Sequence, residues 1–150
     1  MSHTFTQLLY HVVFSTQYRA KLIGPQLQQE LYPYIQANIR DKGGVPLAIG
    51  GMPDHVHLLI RLKPTASVSD LLCSVKANSS RWISERADLS REFAWQEGYS
   101  AFSVSKSGAQ AVFRYIHHQE AHHRRRSFEE EWMGLLARHG IEFDRDRPFG

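Results

Sequence analysis

Gly50-Gly51-Met52-Pro53-Asp54-His55-Val56-His57-Leu58-Leu59-Ile60 is the stretch from which the chain is best read. A turn built from Gly, Pro and Asp runs into a short apolar segment, the pattern of a buried strand. Strand side chains alternate between faces, so His55 and His57 share one face while Val56, Leu58 and Ile60 point to the other. Two imidazoles about 6.6 Å apart along a strand, at the usual rise, can share one cation. An isolated pair of this kind also occurs as ordinary hydrogen-bonded sheet histidines, so the neighbouring stretches decide its meaning.

The residues on either side extend this pattern into a complete sheet. Thr6 to Ser15 is rich in β-formers with apolar residues on both faces, as in a central strand, and it carries His11. Tyr18 to Lys21 is a basic loop. Leu27, Leu31, Ile35 and Ile39 then recur at helical spacing up to Lys42, with Gly43-Gly44 as the stop and Pro33 predicted to kink or break the helix. Val45 to Gly51 is a second strand, and the His-Val-His strand ends near Leu62. Ser67 is the expected N-cap of a long helix carrying Val68, Leu71, Leu72, Val75, Ser79, Trp82 and Ile83 on its buried face. The opposite side, with Lys76, Asn78, Ser80 and Arg81, reads as a solvated face or a phosphate contact. Tyr99 to Ser105 alternates as a fourth strand, a helix is predicted from about Ser107 to His123, and Ser127-Phe128-Glu129-Glu130 opens a last helix by a capping box. The tail after Phe143 is expected to be loose.

This order, β-α-β-β-α-β with C-terminal helices added, predicts an α+β, ferredoxin-like antiparallel sheet with the first two helices on one face. The first and third strands then lie at the sheet centre, and the alternation puts the His pair on the face those helices leave open. At 150 residues, with 42% hydrophobic and 22% charged residues, the expectation is one soluble domain spanning 1–150. The single cysteine, Cys73, excludes an internal disulfide and a cysteine zinc cluster. No apolar run reaches membrane-spanning length, and the chain is expected to be cytoplasmic without a membrane partner. A formal charge of +3 is compatible with a nucleic-acid partner.

The predicted helix after the fourth strand contains the second half of the pattern. At roughly 100° per residue, Tyr115, Gln119 and His122 lie on one side of it. Two readings stand: Gln119 completes a cation site with His55 and His57, leaving Tyr115 beside the ion, or this is a surface helix whose Tyr snorkels and whose histidines are solvated. His118 with His122, or Gln119 with His123, also has the spacing of a zinc pair, though no third ligand is evident nearby.

Pro53-Asp54-His55-Val56-His57-Leu58-Leu59, the segment Trp95 to Ser105, and Tyr115-Ile116-x-x-Gln119-x-x-His122-His123, in this order, resemble the HUH endonuclease superfamily. The nearest likeness is to its single-tyrosine insertion-sequence and REP-associated transposases. The resemblance implies a metal-dependent transposase that cuts and rejoins single-stranded DNA through a 5′-phosphotyrosine. Tyr115 would be the nucleophile, and His55, His57 and Gln119 the ligands of Mg²⁺ or Mn²⁺. His122 is a candidate for assisting Tyr115 from behind the ligands. The implied substrate is hairpin-bearing single-stranded DNA, and the implied assembly a homodimer, with a monomer as the alternative.

Lys106, Arg114, Arg124, Arg125 and Arg126 are opposed only by Glu120 between them and are the candidate DNA-binding residues. Tyr18, Trp95 and Phe102 are candidate stacking platforms for unpaired bases. Two alternatives stand beside this reading: a non-catalytic nucleic-acid binder, and a domesticated transposase acting at chromosomal palindromes.

Overall fold

A computed structural model describes residues 3–86, 93–123 and 126–143, with only the backbone at residue 122. The elements run β1 (Leu8–Ser15), α1 (Pro25–Asp41), β2 (Val45–Met52), β3 (His55–Leu62), α2 (Val68–Ser84), β4 (Ser100–Val104), α3 (Ala109–His117), α4 (Gln119–His123) and α5 (Phe128–Arg138). The strands form one antiparallel sheet in the order β2-β3-β1-β4. This is the predicted ferredoxin-like arrangement, with β1 and β3 at the centre.

Register assigns each side chain to a face. Val13 lies opposite His57 and His11 opposite Leu59, so all four share one face, while Val12 opposite Leu58 and Phe14 opposite Val56 share the other. That second face packs against α1 and α2 through Leu31, Ile35, Ile39, Leu72, Val75 and Ile83. α2 begins where its cap predicts, Ser67 accepting from the Asp70 amide at 3.0 Å. Helix α1 runs unbroken through Pro33. The carbonyl that proline deprives of a partner belongs to Gln29, which is exposed and can bond water.

The histidine face departs from expectation. It is not open: α5 covers one part of it, with Phe128, Leu135 and Leu136 against Val13 and Phe102. α3 covers another, with Ile116 against Ala48 and Leu59. The helices therefore form layers on both sides of the sheet. A sheet face carrying Val13, Leu59 and Phe102 is too apolar to stay wet, and α3 and α5 each bring an apolar stripe to it.

Close approach of α3 depends on Gly50. This residue lies opposite His57 on β2, facing α3, and a Cβ there would overlap the carbonyl oxygen of Ile116. The helix predicted from Ser107 to His123 is also interrupted: a 3₁₀ turn occupies Lys106–Gly108, and α3 ends before His118, which has φ −112° and ψ 28°. The chain re-enters helix at Gln119 on a new axis. Gly50→Ala should push the end of α3 off the sheet, lowering stability by about 1–3 kcal/mol, as overpacking usually does. Denaturant unfolding measures this; an unchanged midpoint would show that the approach of α3 is adjustable.

Candidate active site

The His pair is fully buried between the sheet and the C-terminal helices. Each ring is held from behind. His55 Nδ1 lies 2.7 Å from Asp54 Oδ1, and His57 Nδ1 lies 2.8 Å from His11 Nε2, with those two rings stacked at 5.0 Å. Both Nε2 atoms turn toward one carboxylate oxygen, Glu131 Oε1, at 3.3 Å from His55 and 3.0 Å from His57. His123 Nε2 reaches the same oxygen at 3.0 Å.

The other half of the site hangs on the second carboxylate oxygen. Glu131 Oε2 accepts from the Tyr115 hydroxyl and, at 3.2 Å, from Gln119 Nε2. The Gln119 carbonyl oxygen lies 3.2 Å from His55 Nε2 and 3.1 Å from His123 Nε2. The break at His118 makes this possible. Tyr115 reaches the site from the last turn of α3 and Gln119 from the first residue of α4, rather than from one continuous helix face.

Electrostatics follow from these contacts. Burial works against the charge on Glu131, but hydrogen bonds from His123, His55 and His57 outweigh it and hold the carboxyl well below its usual range. Burial alone would lower His55, yet hydrogen bonds to Asp54 and Glu131 raise it to about 9, so it carries a proton at neutral pH. Burial dominates at His57 and brings it down to about 4, and at His11 it does the same, to about 3, with His57 adding to the effect. Both are neutral. Burial, then the Glu131 charge, pushes the Tyr115 phenol above its ordinary value, which keeps it protonated in this state.

His55, His57 and Gln119 thus meet, with Tyr115 alongside. Glu131 and His123 complete the cluster; the sequence offers His123 only as a zinc-pair spacing with Gln119, and Glu131 not at all as a ligand. A signal for Glu131 exists: Phe128, Glu131 and Leu135 are spaced i, i+3, i+7 on the buried face of α5, and a carboxylate in an apolar stripe needs a partner. Asp54, read only as a turn residue, supports His55. His123, not His122, is the histidine whose side chain is seen at the site; the side chain of His122 lies outside the described residues, as do Arg124 and Arg125.

The remaining candidates divide. Lys106 and Arg114 are exposed, whereas the Arg126 guanidinium donates to the Glu130 carbonyl at 2.8 Å. Trp95 and Phe102 are buried and cannot stack on a base; Trp95 Nε1 donates to Ser79 Oγ at 2.9 Å. Tyr18 alone of the three is free to do so, 88% exposed at a left-handed φ of 57°. Lys76 is engaged by the carbonyls of Gln96 and Gly98 and ties that loop to α2.

His55, His57 and Glu131 offer ligand atoms within 4.8 Å of one another and could hold a metal ion. The set suits a divalent cation, since each imidazole has its second nitrogen anchored, by Asp54 or His11, and so its orientation fixed.

The site is thus a buried His-His-carboxylate cluster with an adjoining tyrosine on a ferredoxin-like sheet. The family model described as "Transposase IS200 like" matches residues 4–119, and the chain belongs to this family of IS200-like transposases. It is similar to the transposase for insertion sequence element IS200 of Salmonella typhimurium, 29% identical over 140 residues that cover 89% of this chain and 86% of that one. It is also similar to the ISDra2 transposase TnpA of Deinococcus radiodurans, 25% identical over 118 residues, covering 75% and 84%. Among solved structures, a REP-associated tyrosine transposase bound to a REP hairpin has the same fold. Its TM-score is 0.61 at 16% identity, covering 82% of this chain and 74% of that one. Among the described residues no helix is long and apolar enough to cross a membrane.

A cation entering between the histidines must displace the proton on His55. Affinity for Mn²⁺ should therefore rise about tenfold per pH unit from neutrality and level off above about 9. Without metal the same proton stabilises the fold. Its contribution is complete below 6.5 and is lost as pH rises through about 9. Calorimetric titration with Mn²⁺ across pH, beside denaturant melts in EDTA, checks both; a flat affinity would mean that His55 is already neutral.

Proposed function

We propose that this transposase cuts and rejoins single-stranded DNA through a covalent 5′-phosphotyrosine on Tyr115, assisted by a divalent cation. The observation that carries the reading is the convergence of the Tyr115 hydroxyl, the two His Nε2 atoms and the Gln119 amide Nε2 on the one buried carboxylate of Glu131, with the Gln119 oxygen turned to His55. His55, His57 and Glu131 would hold the cation, with Gln119 as a further oxygen ligand. Mixed nitrogen and oxygen donors fit Mn²⁺ well and Mg²⁺ less closely. Bound there, the ion would supply Lewis-acid stabilisation to the scissile phosphate.

The chain's own residues do the rest. Tyr115 Oη attacks phosphorus, a new phosphorus–oxygen bond to tyrosine forms, and the bond to the 3′-oxygen breaks, leaving a 3′-hydroxyl once that oxygen takes a proton. The phenol loses its proton in the process, and Glu131 Oε2 is the oxygen that already receives it as a hydrogen bond. Attack by another 3′-hydroxyl on the phosphotyrosine reverses the chemistry and frees Tyr115. Bond energy is conserved through the covalent link, so joining needs no nucleotide cofactor. Asp54 and His11 orient the two imidazoles throughout.

The similarity to a transposase bound to a REP hairpin supports a hairpin-bearing single strand as the substrate. Lys106, exposed in the 3₁₀ turn before α3, and Arg114, exposed on α3, would meet its phosphates, and Tyr18 would stack on an unpaired base. Tyr115 and Gln119 reach Glu131 and His55 of their own chain, which supports a site formed within one protomer; a homodimer is the expected assembly, with a monomer as the alternative.

Tyr115→Phe should abolish the covalent DNA adduct while lowering stability by about 1.5–3 kcal/mol, the usual worth of a hydrogen bond to a charged group. A labelled hairpin oligonucleotide with Mn²⁺, resolved on a denaturing gel, shows the adduct. Persistence of the adduct in this variant would place the nucleophile elsewhere. Replacing Lys106 and Arg114 together by Ala should flatten the dependence of log affinity on log salt by about 1.4, two phosphate contacts on a single strand. Equal slopes for the two proteins would remove both residues from the interface.

A further inference from the structure

A cavity of about 540 Å³ lies against Tyr115, walled by β4, α3 and the C-terminal end of α5. This is within the range of roughly 300–1,000 Å³ common for small-ligand sites. Its walls are of two kinds. Val104, Val112 and Leu135 make an apolar surface, and Arg138 and His139 stand at the polar side. His139 is fixed there, its Nδ1 2.8 Å from the Leu135 carbonyl oxygen and its ring stacked on Phe102 at 4.3 Å. Arg138 is exposed, and among the described residues no carboxylate lines the cavity.

These features suit an anion joined to a flat apolar group. Any phosphate that meets Tyr115 Oη brings its own sugar and base within one nucleotide of that oxygen, and this recess shares Tyr115 as a wall. A second cavity, of about 410 Å³, lies on the other side of α3 beside Gln119, and among the described residues Glu120 lines it and no Lys or Arg does. Among the described residues, charge therefore favours the side of Arg138.

We propose that the cavity between β4, α3 and α5 receives the nucleotide adjoining the scissile phosphate, its base against Val104, Val112 and Leu135 and its phosphate on Arg138. Sequence preference at the cut is then set by the protein at this position. The inference rests on Tyr115 being the nucleophile, and it assigns α5 a role in selecting DNA. The family match ends at Gln119, short of Leu135, Arg138 and His139.

The test uses binding alone. A hairpin oligonucleotide carrying randomised single-stranded flanks is bound to the protein in EDTA, and the bound fraction is sequenced. Wild type should enrich one base at one flank position by at least about fivefold, the low end of what a single mismatched position costs. Ala111→Trp, at an exposed residue lining the cavity, should erase that preference and leave other positions unchanged. Arg138→Gln should weaken affinity about three- to tenfold with the preference intact, as loss of one phosphate contact would. Should Ala111→Trp fail to fold by circular dichroism, Val104→Trp fills the cavity from β4, on the sheet face that also carries Phe102.

No enrichment in wild type, or the same enrichment in wild type and the filled variants, would overturn the proposal. The Tyr115 reading is scored separately, by adduct formation with Mn²⁺. A positional preference without an adduct would sink that reading and leave the cavity as a binding site. An adduct without a preference would do the reverse.

Discussion

The burial of Glu131 is the constraint on which the C-terminal half of the molecule depends. A carboxylate taken out of water without partners is several kcal/mol unfavourable, so it stays charged only where donors surround it. Here His55, His57, His123, Gln119 and Tyr115 all turn toward its two oxygens. Removing any one of them leaves the others partly unsatisfied. The cluster is therefore a single unit linking β3, α3, α4 and α5, and the position of α5 over the sheet cannot be separated from the arrangement of the site.

Packing supports that unit without specifying it. Phe128, Leu135 and Leu136 would settle on any apolar part of the sheet, since hydrophobic contact is non-directional. The charged and hydrogen-bonded contacts of Glu131 have direction, and they fix which turn of α5 meets the histidines. On the other flank, Gly50 permits the Ile116 carbonyl to approach β2, and the break at His118 redirects the chain so that Gln119 reaches His55. An unbroken helix with a bulkier residue at position 50 would carry Tyr115 and Gln119 away from the sheet together.

The support behind the histidines has a similar logic. Asp54 holds a charged His55, whereas neutral His11 holds a neutral His57. Two adjacent imidazoles with different partners take different protonation states, which limits like-charge repulsion in a space closed to water. The same anchors would leave each Nε2 directed at a shared ligand, so the geometry that suits the proton-bearing site also suits a cation.

Local patterns were enough to read the sheet, because alternation, turn residues and caps act over a few residues. The His-Val-His strand, Ser67 as the cap of α2 and the capping box at Ser127 all lie where those rules put them. The shared side of Tyr115 and Gln119 was also legible from helical spacing, although the helix that justified it is broken. What local rules could not supply was the cover on the histidine face. Whether a face stays open depends on where a distant amphipathic helix comes to rest, and nothing within β1 or β3 records that. Glu131 is 74 residues from His57 in sequence, and His11 is 46. A charge so far along the chain becomes a partner only once α5 is folded back over the sheet, where its desolvation demands the donors that β3, α3 and α4 present.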